Sequence, residues 1–221
     1  MMASINPNPE EPARPALRYH GAKWRLAPWI ASHFPPKAAV DVYEEAFCGS
    51  ASVLMRIDRS PIEIINDRDG DVVNFFRVLR ERPEELIRQI ELTPFARSEW
   101  EMAGETTDDP VERARRIYLR SYGSISGPTA QWRSGWRRQK RLSRKADGTG
   151  AMSSAARVFA DVGHLHTVAA RLRGGIHRGR GCAEDYSGLR RGADAALCGP
   201  ALPGRDAEVM EIDGISARDD G

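Results

Sequence analysis

The sequence predicts an α/β fold, and three observations carry that prediction. An apolar run at residues 40–43 leads into the small-residue turn Gly49-Ser50-Ala51-Ser52, after which Val53-Leu54-Met55 opens a helix. A second apolar strand at 62–65 ends on Asn66-Asp67. Amphipathic helical patterns flank the pair on both sides. This strand–turn–helix–strand–acid order suits a nucleotide-type pocket. The turn must lack bulk so that a ligand can approach the backbone, and a carboxylate at the second strand end can accept hydrogen bonds from ribose hydroxyls. The same residues also serve as plain turn chemistry, and Asn66-Asp67 ahead of Asp69-Gly70 can cap the next helix.

In chain order, residues 1–16 carry Pro, Asn and Glu without an apolar core and read as a disordered leader, not a signal peptide. Leu17-Arg18-Tyr19-His20-Gly21-Ala22-Lys23-Trp24 precedes a helix over 23–33, with Leu26, Trp29, Ile30 and Phe34 at helical spacing and Pro35-Pro36 as its stop. The first strand, the turn, a helix over 52–56 and the second strand follow. Residues 71–80 form an amphipathic helix with an acidic start and a basic end. A helix over 111–122 comes next, then a Gly-Ser-Ile-Ser-Gly loop. The last long helix covers 156–172, with Phe159, Val162, Leu165, Val168, Ala169 and Leu172 on one side.

With 221 residues, one domain or a domain carrying an insertion is the natural size. The 41% hydrophobic and 29% charged content is that of a soluble globular chain, and no run approaches a membrane span. Cys48, Cys182 and Cys198 lack metal spacing and suit a reducing cytoplasm. No metal ligands are expected. The net charge of +2 is uninformative, but its distribution is not. Residues 132–145, WRSGWRRQKRLSRK, hold seven cations, no acid and two tryptophans. Cations release counterions from phosphates and aromatic rings stack on unpaired bases, so the segment suits a nucleic-acid surface. A solvated loop punctuated by Gly135, Gly148 and Gly150 is the plainer alternative. An RNA-binding protein is a third, resting on this segment alone.

Tyr-x-Gly-x-Lys, then Phe-x-Gly-x-Ala-Ser, then Asn-Asp-x-Asp-Gly resembles the N-terminal half of the Dam-type (D12 class) DNA adenine methyltransferases over about residues 17–172. Ala46 departs from the proline usual before the Phe, and Ser50-Ala51 from a more glycine-rich turn. The resemblance implies a pocket for S-adenosylmethionine. Tyr19 would pack an aromatic face near it, Lys23 would reach its carboxylate, Phe47 and Gly49 would shape the pocket floor, and Asp67 would take the ribose hydroxyls. The plainer alternatives are an ordinary half-buried aromatic for Tyr19 and a solvated helix-start lysine for Lys23, and the three motifs in order favour the functional reading. It further implies a methyltransferase domain at 17–93 and 152–174 and a helical target-recognition insertion at 94–151 that stands apart. There Arg133, Arg137, Arg138, Lys140 and Arg141 would contact double-stranded DNA carrying a flipped adenine. A cytoplasmic monomer, of restriction-modification type, is expected.

The family's catalytic Asp-Pro-Pro-Tyr is absent, so no catalytic residue is assigned. That motif would hydrogen-bond the adenine amine and stack on the flipped base. Residues 175–221 show no strand period and read as an irregular tail. The genetic code accounts for this. Read one base later, codons for Ala196 to Pro203 permit Leu-Tyr-Val-Asp-Pro-Pro-Tyr, and those for Ile176 to Asp185 permit Ser-Ile-Glu-Asp-Ala-Asp-Ala-Leu-Lys-Ile. Agreement of two segments in one register points to a reading-frame change near Gly174 to Ile176, against the alternative of a divergent tail. The expected class is therefore an incomplete Rossmann-like S-adenosylmethionine-dependent methyltransferase fold with a helical insertion. A non-catalytic DNA-binding module or remnant is the alternative.

Overall fold

The computed structural model describes residues 11–36, 39, 41–125, 135–137 and 155–173, and the backbone of 195–196 and 208–210. Its sheet is built around β1 (Val42–Glu45) and β2 (Ile62–Asp67), which run parallel in the register Val42↔Ile62 to Glu45↔Ile65. Parallel strands need a crossover of a dozen or more residues. Residues 46–61 provide it through the small-residue turn and a 3-10 helix, Leu54–Arg56, where the sequence predicts a helix over 52–56. The short strand β3 (Ala195–Ala196) lies parallel to β1 on its other side, and β4 (Glu208–Met210) runs antiparallel to β2, giving the order β3-β1-β2-β4. The irregular tail expected at 175–221 is corrected at these two places. The chain fills one side of β1 with β2 and later returns to the other with β3, so the sheet has a topological switch point at the carboxyl end of β1.

The helices cover this sheet with one apolar core. Helix α2 (Gly70–Glu81) starts where the Asp69 carboxylate accepts from the Asp71 amide at 3.0 Å, and it buries Val72, Val73, Phe75, Phe76, Val78 and Leu79. Helix α3 (Pro83–Glu91) follows at once, opened by a proline in its first turn and two acids that suit the helix dipole. The short α4 (Arg97–Met102) leads to α5 (Pro110–Gly123), capped by Asp109 accepting from Val111 N at 2.9 Å.

Helix α5 does not stand apart as expected. It packs on α2, with the Tyr118 ring stacked on Phe75 at 6.3 Å and Val111, Ala114, Ile117, Tyr118, Leu119 and Tyr122 in the common core. The helix expected over 156–172 is two, α6 (Ala155–Ala160) and α7 (His164–Arg173), interrupted where Gly163 lowers helix propensity. Its apolar side is buried as the spacing predicts. The helix expected over 23–33 shrinks to α1 (Ala27–Ala31), with Leu26 53% and Trp29 64% exposed instead of packed.

Candidate functional site

A cleft of about 500 Å³ opens at the carboxyl ends of β1 and β2. It is where open α/β sheets receive ligands, beside the switch point. Tyr19, Lys23, Phe47, Gly49 and Asp67, scattered over forty-nine positions of sequence, all line it.

The cleft is organised around Gly49. Its φ of +51° lies in the left-handed region, and a Cβ there would stand 2.8 Å from Tyr19 Cδ1. Only glycine lets the Tyr19 ring lie on this backbone. The Gly49 amide donates to Asp67 Oδ2 at 2.7 Å, and the Asp69 amide to Asp67 Oδ1 at 2.9 Å. Asp67 therefore locks the turn at the end of β1 to the end of β2, with the Arg68 amide as a third backbone donor. Burial pushes its pKa up while the backbone donors pull it down, with the first effect larger. Burial likewise raises the Tyr19 phenol, helped by the Asp67 charge. Ala51, also left-handed at φ +48°, continues the strained turn.

Lys23 reaches the cleft but its Nζ donates to the Gly21 carbonyl at 2.5 Å, across a loop that turns at Gly21 with φ +77°. Phe47 is 46% exposed, so it borders the cleft at its mouth and not at its floor. The donor set fits a nucleoside with an amino-acid arm: an acid for hydroxyls, a lysine for a carboxylate, an aromatic face and a glycine that leaves room. No group of His, Cys, Asp and Glu that could hold a metal is found among the described residues.

Sequence reasoning missed Glu45. This carboxyl ends β1 and lines the cleft, with Oε1 accepting from Tyr43 Oη at 2.9 Å and from the Leu54 amide at 2.5 Å. Burial raises its pKa to about 7, against the lowering effect of those two donors. An acid on the buried face at the end of β1, alternating with Tyr43, was the available signal.

Of the basic residues, Arg133, Arg138, Lys140 and Arg141 lie outside the described residues. Arg137 is described; its amide donates to the Gly123 carbonyl at 2.7 Å, and Arg18, whose pKa is lowered by burial, feels the Arg137 charge as well. Trp136 corrects the expectation of a ring free to stack on a base. It packs on Phe95 at 4.7 Å and Trp100 at 6.0 Å, and a Cβ on Gly123 would meet it at 2.8 Å. A bridge from Ser124 to Trp136 closes the root of this segment against α5.

Fold and cleft together describe an α/β unit with a cleft at its switch point. Residues 19–105 match the family model of D12 class N6 adenine-specific DNA methyltransferase, so this part of the chain is similar to the Dam-type adenine methyltransferases. The matched span contains both central strands and all five cleft residues. No curated protein matches the chain. No described helix is long and apolar enough to cross a membrane.

Proposed function

We propose that this chain is a site-specific DNA adenine-N6 methyltransferase by descent, built on an incomplete Rossmann-like fold and using S-adenosylmethionine. The observation that carries the reading is the meeting of Tyr19, Lys23, Phe47, Gly49 and Asp67 in one cleft within the matched span. Bound there, the cofactor would supply the methyl group. Asp67 would hold its ribose hydroxyls, Lys23 would exchange the Gly21 carbonyl for its carboxylate, and the Tyr19 and Phe47 rings would flank it. The boundaries given above for the methyltransferase domain and the recognition insertion belong to this reading. So do the contacts of Arg133, Arg137, Arg138, Lys140 and Arg141 with double-stranded DNA bearing a flipped adenine, and a cytoplasmic monomer in a restriction-modification setting.

The chain as translated is inactive in this reading, because a reading-frame change removes Asp-Pro-Pro-Tyr. The position of β3 supports it. Ala196 pairs with Glu44, one residue short of Glu45 at the cleft, and the alternative-frame heptapeptide begins at the Ala196 codon. An acid arriving from there would come from the strand on the far side of the switch point. The absence of the motif from all 221 residues also favours a second reading, a DNA-binding remnant without chemistry.

Methyl transfer to adenine-containing DNA decides between them, with the chain and a version restored by one base near codon 175 run side by side. Activity in the restored version alone is expected. Activity in the chain as given refutes the frame change, and silence in both refutes the assignment. Calorimetry should find S-adenosylmethionine bound weakly by the chain and lost in Asp67→Ala; tight binding that survives Asp67→Ala removes the pocket assignment.

A further inference from the structure

The wall of the cleft behind Gly49 is held from both sides by buried charge. The Leu54 amide donates to Glu45 Oε1 at 2.5 Å, and the Leu54 carbonyl accepts from Arg171 Nη2 at 3.1 Å. Arg171 sits on α7 and is fully enclosed by packing. Its guanidinium also makes a two-pronged pair with Glu63 of β2, Nη2 to Oε1 at 2.6 Å and Nη1 to Oε2, and the Ser60 amide completes Glu63 Oε1 at 3.0 Å. The backbone of a single residue, Leu54, thus ties α7, β1 and β2 to the turn that lines the cleft. Only the forked guanidinium can bond a carboxylate with two nitrogens and still reach a carbonyl.

We propose that Arg171 is a positioning residue for the cleft: by holding the Leu54 carbonyl while Glu45 holds the Leu54 amide, it fixes the turn over residues 49–54 against which the ligand lies. The inference rests on the cofactor reading for the identity of the ligand, but not for the clamp itself. Glu45 and Arg171 face each other across Leu54. The other titratable groups that act on Glu45 are Tyr43 of its own strand and Glu63 of β2, and Glu45 in turn acts on Cys48. The Arg171 charge favours the ionised form of Glu45, while the Glu63 charge opposes it.

The test compares wild type, Arg171→Lys and Arg171→Met by hydrogen exchange and by S-adenosylmethionine calorimetry across pH. Lysine keeps the cation beside Glu63 but not the fork. In Arg171→Lys the amides of residues 49–57 should exchange about tenfold faster, as for loss of one hydrogen bond to a charged donor, with α2 unchanged. Cofactor affinity should fall about tenfold for the same reason, with its pH midpoint in place. Arg171→Met should also move that midpoint upward, because Glu45 then ionises later. Turn exchange unaltered in folded Arg171→Lys overturns the proposal. If Arg171→Met does not fold, the lysine variant decides alone. If wild type takes up no cofactor, the cofactor reading falls, while exchange of the turn still decides the clamp.

Discussion

Two groups of acids in this molecule are held in opposite ways. At the ends of β1 and β2, Asp67 and Glu45 take their hydrogen bonds from the backbone amides of Gly49, Asp69 and Leu54 and from the Tyr43 hydroxyl. Among the described residues no cationic side chain bonds to either, and burial raises both pKa values. On the face of α5, Glu112 takes Arg115 through two bonds, at 2.6 and 2.7 Å, and Arg116 at 2.7 Å. Asp71 likewise takes Arg113 at 2.6 Å and Arg120 at 2.5 Å. The Arg115 bond lowers the Glu112 pKa. Glu112 is neutralised within its own helix, whereas Asp71 of α2 is neutralised by two arginines of α5 and joins those two helices. The cleft acids are positioned by backbone amides and a hydroxyl, and in the proposed reading Asp67 then meets the cofactor. The two groups therefore differ both in burial, with Glu45 and Asp67 9% and 7% exposed against 26% and 24% for the Glu112 and Asp71 side chains, and in who donates to them.

The largest effect should come from breaking the α5 side. Arg115 is buried, and its Nη1 also bonds Glu99 and Thr93, both at 3.1 Å. Arg115→Ala removes the ion pair of Glu99 and leaves Glu112 with Arg116 alone, and should cost about 3 kcal/mol in denaturant unfolding, at the lower end for a broken buried pair because Glu99 and Glu112 remain partly wetted. Ligand affinity of the folded variant should be unchanged. An equal loss of affinity would show that the two regions are not separable.

Breaking the cleft side should do the reverse. Gly49→Ala must place a methyl 2.8 Å from the Tyr19 ring while holding φ +51°. The backbone strain alone is about 1–3 kcal/mol, and displacement of Tyr19 adds to it. Stability should fall by about 2 kcal/mol or more when the ring swings into the cleft, and S-adenosylmethionine binding should vanish with it. Retained binding would mean that the ring is not part of the pocket. Calorimetry and unfolding on one sample separate the two losses.

The cleft was more legible in the sequence than the helices around it. Gly49, Asp67, Tyr19 and Lys23 could be read because each needs a particular chemistry at a fixed place: no side chain, an acid at a strand end, an aromatic, a cation. The parallel pairing of β1 with β2 followed from the apolar runs and the length between them. Glu45 was passed over because its role depends on Leu54 and Tyr43, contacts that no local pattern announces. Helix α5 was taken for part of a separate insertion because its apolar stripe fits any partner. Only the structure shows Tyr118 against Phe75. Trp136 misled for a related reason: a tryptophan within a basic run is identical in sequence whether it faces a base or, as here, Phe95 and Trp100. Helix α3 carries a proline start, an acidic first turn and buried Leu86, Ile87 and Ile90, and was readable though not read.

The smallest expected effect is the pH dependence of wild-type stability, because two buried groups oppose each other. Burial raises Glu45 to about 7, so between its ordinary value near 4.5 and pH 7 the unfolded chain has released a proton that the folded chain keeps. Glu45 therefore favours folding fully below pH 4.5 and loses that contribution as pH rises to 7. His164 goes the other way. Burial lowers it to about 4, with the Arg14 guanidinium adding to the shift; Arg14 Nε donates to its Nδ1 at 3.2 Å. The folded chain stays neutral there while the unfolded chain takes up a proton below pH 6.5, so stability is lost as pH falls from 6.5 to 4. Between 4.5 and 6.5 the two slopes are of opposite sign and similar size, and wild type should vary by less than about 1 kcal/mol over that window. Glu45→Gln keeps an oxygen to accept from Leu54 and Tyr43 but removes the titration, so it should expose the His164 slope. Denaturant midpoints should then fall on acidification from pH 6.5 to 4.5 in the variant and stay nearly level in wild type. Parallel profiles would show that the cleft acid is not held in the buried state that sets it apart from Glu112 and Asp71.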